Sequence, residues 1–291
     1  MVLPKNGRYY ILCFFDKKFN KNAPDILTKG NVCDKISLSV AHEIRSIGKT
    51  EKRRGKREER CMKIAGIQKL TLLDYPGKVA GIIFTDRCNL RCPFCHNAAL
   101  VTHEAGDGIG EGELSRFLEK RAGLLEGMVI TGGEPLIYPD VAVLMRKIKS
   151  LGYSVKLDTN GTEPELLRSI IDEGLCDYVA MDIKNSLAAY PMTVGLANID
   201  TDRIVRSAEL LMSCGIEYEF RTTVVKGIHT VESMTALAKE IAGAKKYFLQ
   251  QFKNSGDLIS PYGLSAFGAD EMRTIADAVR PYVPSVELRG I

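Results

Sequence analysis

VAGIIFTDRCNLRCPFCHN, residues 79–97, runs from a nearly continuous apolar segment straight into three cysteines, Cys88, Cys92 and Cys95. The apolar segment has the composition of a parallel strand covered on both faces. Three thiols within eight positions, with no further cysteine until Cys176, point to a soft metal group that is left one ligand short. Zinc closed by His96 is one reading, although adjacent Cys95 and His96 are awkwardly placed for one tetrahedral ion, and structural zinc sites draw on two separated knuckles. The other is an iron–sulfur cubane, normally held by four cysteines, here with one iron open to a substrate.

Outward from this stretch the chain is regular. MVITGG is followed by VAVLMRKIKSLG, YSVKLDTNG by EPELLRSIIDEG, DYVAMDIK by DRIVRSAELLMSCG, IEYEFRTTVV by VESMTALAKEIAG, and KYFLQQF by ADEMRTIADAV; VAGIIFT itself precedes ELSRFLEKRAGLL. Apolar residues recur at three- and four-residue steps in the second members and run nearly unbroken in the first. Six βα units therefore span about residues 79–280, an α/β chain with parallel strands. Such units close into a full or partial barrel or spread into a doubly wound sheet, and in either case the ligand sits at the carboxyl ends of the strands.

Those ends are polar. The second strand runs into TGGEP (131–135), the third into LDTNG (157–161), the fourth into MDIK (181–184), and the fifth holds FRTTVV with Arg221. Taken singly, paired glycines make a tight turn, and Asp, Thr and Asn cap helices. Taken together, Asp158, Thr159, Asp182 and Lys184 face one mouth, a concentration of polar groups that a structural strand end does not require.

With the CxxxCxxC loop and Phe94 before its last cysteine, these motifs resemble the radical S-adenosylmethionine (SAM) superfamily. The resemblance implies a partial (β/α)6 barrel and one 4Fe–4S cluster on Cys88, Cys92 and Cys95, with SAM chelating the open iron. It also implies Gly132, Gly133 and Glu134 near the SAM amino group. Within the superfamily, CHN, LDTNG and MDIK resemble the glycyl-radical-enzyme activases, of which pyruvate formate-lyase activating enzyme is the familiar case. That likeness implies backbone at Phe94 and His96 meeting the adenine, Asn97 near SAM, and Lys184 on the SAM carboxylate. It adds a monovalent cation beside Asp158, Thr159 and Asp182. Arg221 aligns with a family arginine at the cofactor, with a surface salt bridge as the alternative.

A histidine expected after the sixth strand is replaced by Gln250 and Gln251 in FLQQFKNSG. This fits the activating proteins of anaerobic ribonucleoside-triphosphate reductases, whose beginning resembles MKIAGIQKLTLLDYPGKVAGIIFTDRCNLRCPFCHN. The implied partners are a glycyl radical enzyme and a flavodoxin- or ferredoxin-type electron donor. LLDYPGK (72–78), ordinarily a turn, corresponds to an activase loop expected to position the partner's peptide. The alternatives are radical SAM chemistry on a small heterocycle or a peptide and, in another class, an electron carrier or zinc-binding interaction protein.

The resemblance begins at Met62. Residues 1–61 hold 15 Lys and Arg against 7 Asp and Glu, a net +8, so the rest of the chain carries −4 against the total of +4. They read as a basic extension, disordered or arising from an early start codon, and 62–291 as the catalytic domain. The run KTEKRRGKREER (49–60) is read as a solvated linker or helix face, and nucleic acid is not an expected partner. Nothing at the amino end reads as a secretory leader and no apolar run reaches eighteen residues, so no membrane is expected and the cytoplasm is the default expectation. The scattered cysteines do not form a disulfide framework. Cys176 and Cys214 read as buried small residues, and Cys13, Cys33 and Cys61 lack ligand spacing, which leaves a single cluster.

Overall fold

The computed structural model describes residues 2–5, 8–11, 62–102, 108–254 and 258–291. The chain divides into two units, Met1–Cys61 and Met62–Ile291. In the first, β1 (Val2–Lys5) pairs antiparallel with β2 (Arg8–Ile11). The basic run 49–60 and Cys13, Cys33 and Cys61 lie outside the described residues.

The second unit is built on one sheet in which β3 to β10 lie side by side in chain order. β3 (Ile64–Thr71) is antiparallel to β4 (Ala80–Thr85). From β4 onward every neighbour is parallel: β5 (Gly127–Gly132), β6 (Ser154–Thr159), β7 (Tyr178–Asp182), β8 (Glu217–Val224), β9 (Tyr247–Gln251) and β10 (Val286–Arg289). Among the described residues β3 and β10 do not pair, so this is the partial barrel that the sequence leads one to expect. All six expected strands are present, with β3 and β10 added at the edges.

Helices cover the outer face. After α1 (Ala98–Thr102) come α2 (Glu111–Arg121), α3 (Val141–Ser150), α4 (Pro164–Asp172), α5 (Tyr190–Val194), α6 (Thr201–Ser213), α7 (Val231–Glu240) and α8 (Ala269–Val279). In α3, Val141, Leu144, Met145 and Ile148 form one buried stripe. α4 starts on Pro164, whose missing N–H costs nothing in the first turn, and α7 starts in a capping box between Thr230 and Ser233. The helices meet strand residues such as Leu157, Met181 and Phe220, all fully buried, each contributing roughly 1.5–3 kcal/mol by leaving water.

The period of two then decides what faces inward. Lys156 and Asp158 on β6, Ala180 and Asp182 on β7, and Glu219 and Arg221 on β8 share the inner face, with Asp182 directly opposite Arg221. A smaller apolar cluster of Tyr75, Ala80, Ile82, Val129 and Tyr178 fills the inside at the β4 and β5 side. No helix among the described residues is long and apolar enough to cross a membrane.

Candidate active site

Every residue that the sequence assigns to the cluster or to SAM lines one cavity of about 440 Å³ at the carboxyl ends of the strands: Cys88, Cys92, Cys95, Phe94, His96, Asn97, Gly132, Gly133, Glu134, Asp158, Thr159, Asp182, Lys184 and Arg221. Other polar residues, among them Gln68, Asp74, Asn160 and Thr223, line it too.

The cysteine loop is fixed from several directions. Asp86, fully buried, accepts from the Tyr138 hydroxyl at 2.7 Å, and the Arg91 N–H donates to the Val194 carbonyl at 2.9 Å. The Pro93 carbonyl accepts from the Ser260 N–H at 3.0 Å, tying the loop to the segment after β9. TGGEP is shaped by the same loop. Gly132 sits at φ +117°, where a Cβ would lie 2.3 Å from the Thr85 carbonyl oxygen, and a Cβ on Gly133 would lie 1.6 Å from that of Arg87. The Gly133 and Glu134 N–H groups donate to those two carbonyls at 3.0 and 2.8 Å. The paired glycines thus let the cysteine loop's own backbone come close, in addition to any approach by a ligand.

Glu134 turns inward. Its Oε1 accepts from the Leu136 N–H at 3.0 Å and the Thr159 hydroxyl at 2.8 Å, and its Oε2 from the Asn160 N–H at 2.6 Å. The carboxylate thereby bolts β5 to β6. Burial raises it to about 7, against the pull of those N–H donors. Asn160 in turn donates to Asn89 at 2.9 Å, so the bolt reaches the cysteine loop.

His96 is not posed as a fourth ligand. Its Nε2 is 2.7 Å from the Lys253 carbonyl, and its ring stacks on Phe252 with centroids 5.8 Å apart. Among the described residues no three His, Cys, Asp or Glu side chains converge on a single ion. His96 is therefore not posed to close a zinc site with the three cysteines. Cys88, Cys92 and Cys95 are free thiols. Burial pushes Cys88 up to about 12 and Cys92 to about 11, and raises Cys95 as well, Lys184 drawing all three back. Thiols so desolvated ionise readily only against a bound metal.

Across the cavity the groups are charged and paired. Asp182 accepts from Arg221 Nε at 2.8 Å and Lys184 Nζ at 3.0 Å, and Asp158 meets Arg221 Nη1 at 3.3 Å and Lys156 Nζ. Burial would raise the Asp182 carboxyl, yet Arg221 and Lys184 hold it well below the carboxylate range. Burial would lower Lys184 and Arg221, and the facing aspartates hold both above their ordinary values. Arg221 is therefore an inner-face residue, not a surface salt bridge.

Two residues that sequence reasoning missed hold this wall. Lys156 is 1% exposed, and its position two before Asp158 was the available signal. His229, buried with its pKa lowered by burial, donates from Nε2 to the Lys184 carbonyl at 2.8 Å, accepts from the Val225 N–H at 3.0 Å, and meets Phe94 edge-on. Of the two glutamines standing where a histidine was expected, Gln250 lines the cavity and Gln251 donates to the Phe267 carbonyl.

Residues 82–241 match the family model described as the Radical SAM superfamily. A protein of Methanocaldococcus jannaschii named "Putative glycyl-radical enzyme activating enzyme" is 30% identical over 234 residues, 78% of this chain and 96% of its own length. A 7-carboxy-7-deazaguanine synthase of Halobacterium salinarum is 36% identical over 96 residues, 30% of this chain and 35% of that protein. Among solved structures, Streptococcus suis SuiB bound to its precursor peptide SuiA superposes with a TM-score of 0.56 at 14% identity, over 88% of this chain and 61% of that one. The chain thus spans about a third of the synthase and under two thirds of SuiB.

Proposed function

This chain belongs to the radical SAM superfamily, with a 4Fe–4S cluster and SAM as its cofactors, and on that premise we propose that it is a glycyl-radical-enzyme activase. The observation that carries the reading is the likeness to the Methanocaldococcus jannaschii protein across 96% of that protein's length. When bound, the cluster and SAM supply a 5′-deoxyadenosyl radical able to take a hydrogen atom from an unactivated carbon.

In this proposal residues 62–291 form the catalytic domain. Cys88, Cys92 and Cys95 hold the cluster. Lys184, with Arg221 behind it, receives the SAM carboxylate at the charged wall. Asn97, whose side chain donates to the Gly132 carbonyl at 3.1 Å, stands between the cysteine loop and the glycine pair, and the backbone of Phe94 and His96 meets the adenine. Ile82, Phe84, Phe94 and Val129 make an apolar lining that excludes water from a radical that would otherwise be quenched.

The rim supplies the protein-facing part. The β3–β4 loop exposes Leu72 (68%) and Leu73 (91%), while its Asp74 lines the cavity. The loop is not slack: the Thr71 hydroxyl bonds Asp74 and accepts from the Leu73 and Asp74 N–H groups at 3.2 Å, and Tyr75 is buried. Ordered leucines beside a reactive cavity suit a peptide of a partner enzyme, whose glycine offers a Cα hydrogen with no side chain in the way. An anaerobic ribonucleotide reductase is the proposed partner, with a flavodoxin or ferredoxin as electron donor and the cytoplasm as the place of action.

The test is to incubate the reduced holoprotein with SAM and a candidate reductase carrying deuterated glycine. A glycyl radical by electron paramagnetic resonance and deuterium in 5′-deoxyadenosine are expected. 5′-Deoxyadenosine without deuterium and without the radical would overturn the assignment in favour of a small heterocycle or another peptide.

A further inference from the structure

Asp158 and Asp182 end adjacent parallel strands with both carboxylates turned to the cavity. Two such anions need counter-charge, and the activase resemblance would supply it as a monovalent metal ion held with Thr159. The residues present do not fit that ion. All four carboxylate oxygens already meet a cationic nitrogen: Asp158 Oδ1 faces Lys156 Nζ, Asp158 Oδ2 faces Arg221 Nη1, Asp182 Oδ1 faces Arg221 Nε, and Asp182 Oδ2 faces Lys184 Nζ. The Thr159 hydroxyl donates to Glu134 and accepts from the Gly161 N–H at 3.1 Å, so it too is engaged.

We propose that the ammonium of Lys156, together with the Arg221 guanidinium, takes the place of a metal cation between Asp158 and Asp182, so that the SAM pocket works without Na⁺ or K⁺. A buried lysine inside a strand calls for a fixed anionic partner, and the period of two gives Lys156 Asp158 as that partner. Three cations face two aspartates, with Glu219 4.0 Å from Arg221 Nη1 but already paired to Arg289. An added metal cation would enter against Lys156, Lys184 and Arg221, whereas an incoming carboxylate is attracted by all three. Lys156 is a positioning residue: it frees Arg221 and Lys184 from neutralising Asp158 alone and so leaves Lys184 to the ligand.

The inference rests on SAM's carboxylate entering this wall, and its test is chosen to be separable from that reading. Crystals of the holoprotein would be soaked with Tl⁺, a K⁺ surrogate with strong anomalous scattering. No Tl⁺ is expected between Asp158 and Asp182 in the native protein, and a peak is expected in Lys156→Met. In parallel, SAM affinity is measured by calorimetry with Na⁺ and K⁺ replaced by tetramethylammonium at constant ionic strength. The native protein and Lys156→Arg should change by less than about twofold, and Lys156→Met should weaken about tenfold and recover when K⁺ or Na⁺ returns. Tl⁺ in the native site, a native protein that needs K⁺ or Na⁺, or a Lys156→Met protein indifferent to cations would each overturn the proposal. Should Lys156→Met fail to fold, the native arms decide alone. A native protein that binds no SAM in any salt would refute the functional reading while the Tl⁺ map still judges this one.

Discussion

The two walls of the cavity are built on opposite terms. On the side of β4 and β5, the thiols of Cys88, Cys92 and Cys95, the second buried and the other two half-buried, are pushed toward the neutral form by desolvation, with Lys184 opposing it only in part. On the side of β6 to β8, every carboxylate oxygen of Asp158 and Asp182 is matched by a cation of the chain itself. The first wall is chemically incomplete without a metal group, and the second is complete before any ligand arrives. A site can therefore be waiting on one face and preorganised on the other, and substitutions on the two faces should fail in different ways.

The largest contrast is expected from Cys92→Ala against Arg221→Gln. Removing the thiol should abolish SAM cleavage, a loss of at least ~10³-fold or about 4 kcal/mol in barrier terms, while the apoprotein stays within about 1 kcal/mol of native in urea titrations. Arg221→Gln instead leaves two aspartates short of a partner and should destabilise even the apoprotein by about 3–5 kcal/mol. Equal stability losses in the two variants would erase the distinction between the walls.

Glu134 joins the walls and gives a smaller, pH-dependent effect. Glu134→Gln replaces Oε2, which accepts from Asn160, with a donor, costing about 1–3 kcal/mol in unfolding experiments. Because burial raises the folded-state value from 4.5 to about 7, the folded chain holds the extra proton between those limits. Native stability should then fall as pH rises from about 5 to 7, and its margin over Glu134→Gln should shrink by about 2–3 kcal/mol in urea titrations at the two pH values. A margin that widens with pH would place the carboxylate on the ionised side throughout.

Smallest of all should be Leu73→Ser at the rim. It is expected to raise the KM for the partner enzyme about fivefold while leaving uncoupled SAM cleavage unchanged, a loss in line with removing one exposed apolar contact. A fall in uncoupled cleavage would mean that the loop shapes the cofactor pocket itself.

How far the sequence could be read also differs between the walls. Cys88, Cys92 and Cys95 were legible because their spacing carries the chemistry, and Asp182 and Lys184 because they stand at a strand end. Lys156 and His229 were not. One sits inside a strand, where its place two before Asp158 was the available cue but carries no sign of burial, and the other lies on a loop whose contact with the Lys184 carbonyl spans 45 residues. β4 to β9 were legible from their unbroken apolar runs. β3 was missed because it is an edge strand with exposed polar residues and two register shifts, and β10 because four residues alternating Val-Glu-Leu-Arg carry too little pattern. The inward turn of Glu134 was equally hidden, since GGEP reads as a turn whichever way its carboxylate points.

The most direct test of the account is anaerobic reconstitution with iron and sulfide, then reduction and a 5′-deoxyadenosine assay on the native chain and Cys92→Ala. About four irons per chain and SAM cleavage that vanishes with Cys92 are the predicted result. About eight irons, or cleavage that survives the loss of Cys92, would contradict it.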